Sequence, residues 1–84
     1  MFAVIGTWPV DGALEVDQLT HIADSVRQQP GFRHGYWGQD PTDTTRAHAF
    51  VVLDDEAAAK SMAEGVRQAI RSATVAVLEV LASA

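Results

Sequence analysis

Residues 32–53 read FRHGYWGQDPTDTTRAHAFVVL, from Phe32 to Leu53, and this stretch decides the fold. Phe32 to Gln39 and Thr45 to Leu53 are rich in aromatic and β-branched residues, while Asp40-Pro41-Thr42-Asp43-Thr44 between them concentrates turn formers. The pattern predicts an antiparallel hairpin with a five-residue loop. Side chains alternate across a strand, so the two runs can be sorted by face. With Gln39 opposite Thr45, Tyr36 faces His48 and His34 faces Phe50. One face then holds Phe32, His34, Tyr36, Arg46, His48, Phe50 and Val52. The other holds Arg33, Gly35, Trp37, Ala47, Ala49, Val51 and Leu53. The second set is mostly small and aliphatic, as suits a sheet lying beneath helices. The first is aromatic and rich in imidazole.

Working outward, Phe2 to Trp8 is a short run of β-formers stopped by Pro9 and the Asp11-Gly12 turn signal. From Leu14 to Gln28, Val16, Leu19, Ile22, Ala23 and Val26 recur at helical spacing. Glu15 and Asp17 near the start and Arg27 near the end suit the helix dipole, and Pro30-Gly31 stops the segment. Beyond the hairpin, Asp54 or Asp55 can cap a second helix running to about Ile70. Its buried stripe would be Ala59, Met62, Ala63, Val66 and Ile70, with Arg67 and Arg71 at its C-terminal end. Gly65 inside it costs about 1 kcal/mol relative to Ala, a cost that close packing would explain. Thr74 to Leu81 closes the chain as a nearly continuous apolar strand with one charge, Glu79. The order is β-α-β-β-α-β, the α+β, ferredoxin-like pattern. Residues 1–84 are expected to form one domain, a four-stranded antiparallel sheet with two helices on one face. The other face is left bare.

Composition narrows the partners. At 84 residues and 9.0 kDa the chain buries too little surface for an ample core, and it has no cysteine. That excludes a disulfide framework, thiolate zinc or iron–sulfur sites and a cysteine nucleophile, and makes a second subunit the expected source of stability. Six Lys and Arg against eleven Asp and Glu give a net charge of −5, which argues against nucleic acid and anionic lipid as partners. Met1 to Val10 has no basic leader region, and no apolar run approaches the roughly 20 residues that span a bilayer. No membrane association is expected, and the expected location is cytoplasmic.

Gln29-Pro30-Gly31-Phe32 leads into the second strand, and Phe50-Val51-Val52-Leu53-Asp54-Asp55-Glu56-Ala57-Ala58 leaves the third. In these motifs and in its element order the chain resembles the dimeric α/β barrel superfamily, specifically its antibiotic-biosynthesis-monooxygenase-like branch. The resemblance implies a homodimer whose sheets form a shared barrel, with a small-molecule cavity between sheet and helices in each subunit. Relatives in that branch include cofactor-independent oxygenases of polyketide quinones, haem-degrading enzymes and lactone isomerases. This chain has Leu53 where many relatives carry a tryptophan, and Thr7 where haem-degrading ones carry an asparagine. Its second helix has no histidine, only Arg67 and Gln68 near that place, which disfavours haem degradation.

The resemblance implies a monooxygenase or related enzyme that needs no cofactor and acts on an aromatic or polyketide-like small molecule. His48 or His34 would be the general base, since imidazole is the side chain most easily tuned for proton transfer near neutral pH. Tyr36 and Trp37, with Thr7 and Leu53, would bind the substrate. The alternative is a non-catalytic homodimeric ligand-binding or interaction module, in which the aromatic face is only the dimer seam.

Other motifs fall to simpler readings. Arg46 to Leu53 approximates an RNA-recognition strand with His48 and Phe50 at its stacking positions, but Ala47 replaces a glycine and no basic stripe accompanies it. His34 and His48 lack a third ligand on their strand face, so no metal site is expected. His21 lies off the apolar stripe of its helix and is expected in solvent. Trp8 reads as a strand-end packing residue, and Arg46 as a solvated hairpin-end cation.

Overall fold

The computed structural model describes residues 1–11 and 16–84. Gly12 of the expected turn and the expected helix start at Leu14, with Glu15, lie outside the described residues. The elements run β1 (Phe2–Pro9), α1 (Val16–Val26), β2 (Phe32–Asp40), β3 (Asp43–Leu53), α2 (Glu56–Ala69) and β4 (Thr74–Glu79). The strands form one antiparallel sheet in the order β2-β3-β1-β4, the ferredoxin-like arrangement, and the core under α2 lies on one side of it.

The hairpin is tighter than the expected five-residue loop. β2 runs to Asp40 and β3 begins at Asp43, so Pro41 and Thr42 alone make the turn. The backbone N–H and hydroxyl of Thr42 donate to Asp40 Oδ1 at 2.8 and 2.7 Å, and those of Thr45 donate to Asp43 Oδ1. These bonds favour the ionised forms and hold both carboxyls below the ordinary value of 3.8. Gln39 Nε2 donates to the Thr44 carbonyl at 2.9 Å.

Gln39 therefore pairs with Ala47 rather than Thr45, and the register differs from expectation by two residues. Tyr36 lies opposite Phe50, His34 opposite Val52, and His48 opposite Gly38. Because two is even, the sorting of faces survives. Phe32 is the exception. A register shift between Phe32 and His34 turns Phe32 to the helix side, where it packs against the core.

That core is Val4, Val51 and Leu53 from the sheet with Ala59 and Ala63 from α2, flanked by Phe2, Phe32, Trp37, Met62, Val75 and Val77. Asp55 caps α2 by accepting the Ala58 N–H at 2.8 Å. The wholly buried Ala59 and Ala63 bring that helix close to the sheet. Gly31 takes a φ of +81°, which L-residues rarely adopt, and its carbonyl accepts the Asp54 N–H at 2.8 Å. This bond ties the start of β2 to the end of β3.

α1 is different. It is amphipathic, yet none of its residues is fully buried: Leu19, Ala23 and Val26 of its expected stripe are half-buried, Val26 against the core, while Val16 and Ile22 are exposed. It leans on β2 and stands off from α2. Among the described residues no helix is long and apolar enough to cross a membrane.

Gly65 does not mark close packing. A Cβ built there meets nothing within 4 Å, and Gly31 is the one described glycine with positive φ. Gly65→Ala should raise stability by about 0.5–1 kcal/mol, the helix-propensity difference, as read by urea unfolding. A loss of stability would show that the helix needs glycine at this place.

Candidate functional site

On the helix side, cross-strand pairing sets Trp37, Ala49, Gly6 and Val75 in one row across the sheet. Gln39, Ala47 and Trp8 form the next. The two central strands thus present only glycine and alanine in the first row, and a volume deficit opens beneath the helices. Ile22 and Val26 from α1 and Met62, Val66 and Ile70 close over it, leaving a chamber of about 90 Å³ with Trp8 and Trp37 in its wall. No ionisable side chain among the described residues lines it. Native interiors hold few voids larger than a water molecule, and a void of this size costs about 2 kcal/mol at roughly 24 cal/mol per Å³.

A wider groove of about 670 Å³ lies between α1 and α2 and shares Ile22, Val26, Met62, Val66 and Ile70 with the chamber. Ser25, Gln29, Ser61 and Asp55 add its polar lining. The Asp55 carboxylate is already engaged in capping α2.

Both tryptophans follow a glycine at the same spacing, in Gly6-Thr7-Trp8 and Gly35-Tyr36-Trp37. Each indole lies back along its strand over that glycine. A Cβ on Gly6 would stand 3.8 Å from Trp8 Cζ3, an ordinary contact. On Gly35 it would stand 2.8 Å from Trp37 Cη2 and 3.0 Å from Cζ3, which real contacts do not tolerate. Gly35 is therefore what lets Trp37 lie flat. The repeated Gly-x-Trp spacing is a sequence signal for an indole lying over a glycine in each strand, but not for the two indoles sharing one wall.

The opposite face of the sheet carries the imidazoles. Tyr36, Phe50, Ile5 and Ala76 form one row, and His34, Val52, Ala3 and Leu78 the next. Tyr36 is 67% exposed, Leu78 48%, Ile5 39% and Phe50 37%, whereas Val52 and Ala3 in the second row are already buried. His34 meets Tyr36 edge to face with ring centroids 5.8 Å apart. His48 sits between Gly38 and Thr7, four residues further along the strands, or about 13 Å from the level of His34. The Thr7 hydroxyl accepts from Arg46 Nε at 3.3 Å.

The candidate residues therefore divide. His34, His48, Tyr36 and Thr7 share the open face, where the Tyr36–Phe50 pair separates the two histidines. Of these candidates Trp37 alone lines the chamber, beside Trp8. Leu53 is fully buried in the core. His21 is exposed on α1. No three described His, Asp or Glu side chains gather where a metal ion could be held.

No protein-family model matches the chain, and no curated protein sequence does. A solved structure from Deinococcus radiodurans, assigned as an antibiotic biosynthesis monooxygenase, is similar to it with a TM-score of 0.68 and 16% identity, covering 100% of this chain and 96% of that one. The likeness establishes the fold.

Gly35→Ala should displace the Trp37 indole and cost about 1–3 kcal/mol, whereas Gly6→Ala should leave Trp8 in place. Near-UV circular dichroism and thermal unfolding of the two variants check this. Equal behaviour of the pair would show that Gly35 does not support the Trp37 wall.

Proposed function

We propose that this chain is an antibiotic-biosynthesis-monooxygenase-like protein that acts as a homodimeric binding module for small, uncharged aromatic molecules. One observation carries the reading. The chamber walled by Trp8 and Trp37 has no ionisable side chain among its described lining residues, while His34 and His48 stand on the other face of the sheet. Such a chamber removes a flat apolar ring from water and stacks it against indole, but has no group of its own to move a proton. The open face supports the second half of the proposal. Tyr36, Phe50, Ile5 and Leu78 stand exposed on it, and covering them with a second copy of the same face would add stability to a cysteine-free chain of 84 residues.

The likeness to the Deinococcus protein favours a second reading, cofactor-independent oxygenation of a polycyclic phenol. There the substrate's own acidity would replace a protein base, and the chamber would orient it and exclude water. Oxygen uptake with a panel of such phenols separates catalysis from binding alone.

Trp8 and Trp37 are the two tryptophans of the chain, so its indole emission reports on the chamber wall. Toluene should change that emission saturably, and His48→Ala should bind it as the wild type does. Unchanged emission on titration would sink the binding reading.

Sedimentation should give a species of twice 9.0 kDa. Phe50→Ala should weaken the dimer by about 2 kcal/mol, roughly 30-fold in dissociation constant. A monomeric wild type would remove the open face as a seam.

A further inference from the structure

We infer that the ligand of this protein has two parts, a single ring or short alkyl head in the chamber and a larger apolar body in the groove between α1 and α2, and that Gly65 gauges the size of that body. The inference rests on the binding reading above and adds to it the shape of the ligand and a residue that selects it.

Continuity comes first. Ile22, Val26, Met62, Val66 and Ile70 line both spaces, so only these flexible apolar side chains separate the groove from the chamber, and a ligand that parts them occupies both. Size comes second. About 90 Å³ is below the roughly 150 Å³ of an engineered cavity that accepts benzene, so the chamber takes one small head at most. The groove, at about 670 Å³, has room for several times as much. A molecule filling only the chamber would leave the larger apolar space wet, and one too bulky for the chamber would not reach Trp8 and Trp37.

The packing of α1 agrees. Leu19, Ala23 and Val26 are half-buried, with Val26 against the core, but Ile22 stays exposed at the groove. A ligand body lying in the groove would cover Ile22.

Gly65 is the remaining observation. It lies inside α2 and lines the groove, with open space where a Cβ would be. Neither backbone conformation nor close packing requires glycine here, although glycine weakens a helix interior. What glycine does at this place is keep the groove wall free of a side chain. Every larger residue would stand over the space the ligand body is to fill.

The test compares two neutral probes on the full chain, toluene as a head alone and N-phenyl-1-naphthylamine as a head with a body. Toluene is followed by tryptophan emission and the larger probe by its own fluorescence. The wild type should bind both. Gly65→Leu should weaken the larger probe at least tenfold and leave toluene unchanged, and Ser61→Leu on the same wall should act in the same direction. If either leucine variant unfolds, the other carries the comparison. Unchanged affinity for the larger probe in a folded leucine variant overturns the gauge, as does an equal loss of both probes. Failure of the wild type to bind either probe is a separate result, and overturns the binding reading on which this one rests.

Discussion

β3 is hydrogen-bonded along both edges, to β2 and to β1, so the alternation of its side chains is imposed on the whole sheet. Ala47, Ala49 and Val51 go to the helix side, and His48 and Phe50 go to the open side. No rotation of one strand can move a member of either set while those ladders hold. The position of the chamber and the composition of the open face are two consequences of this one constraint.

The helix side shows what the alternation costs. Ala49 beside Gly6 is too small to fill the space under the helices, and the large residues of that layer, Trp8 and Trp37, stand at its margins. A well-packed domain would collapse over such a deficit or fill it with a leucine. Here α2 is held by Ala59, Ala63 and its Asp55 cap, and Gly31 pins β2 to the end of β3, so the frame keeps its shape around the space. Stability withheld from the interior in this way is a common accompaniment of binding. The open face is where a small chain could regain it, through the exposed side chains of Tyr36, Phe50, Ile5 and Leu78.

Much of the fold was legible because it depends on local signals. The 3.6-residue spacing of Ala59, Met62, Ala63 and Val66, a cap at Asp54 or Asp55 and the Pro30-Gly31 stop all act over a few residues. The two-residue period sorted Trp37 from Tyr36 and Ala49 from His48 without knowledge of any partner strand. The hairpin loop is shorter than its composition suggests because Asp43 and Thr45, residues of turn-forming type, bond to one another inside the strand and leave Pro41-Thr42 alone to turn. The side taken by Phe32 is not legible in the sequence because a register shift leaves no compositional mark. The alternation kept His48 and Trp37 apart from the start, but only the sheet register and the helices above it showed how little the two have in common.

By itself, then, the sequence determined the order of elements, the single antiparallel sheet and the contrast between an aliphatic and an aromatic face, since these follow from propensity and periodicity within short windows. Only the tertiary structure decided that the histidines stand about 13 Å apart along the strands, that Leu53 is core and that Trp8 joins Trp37 around an empty row. Those facts depend on register and on volumes shared between β1, β2, β3 and α2. Residues that meet in space but lie far apart in the chain carry no shared local signal.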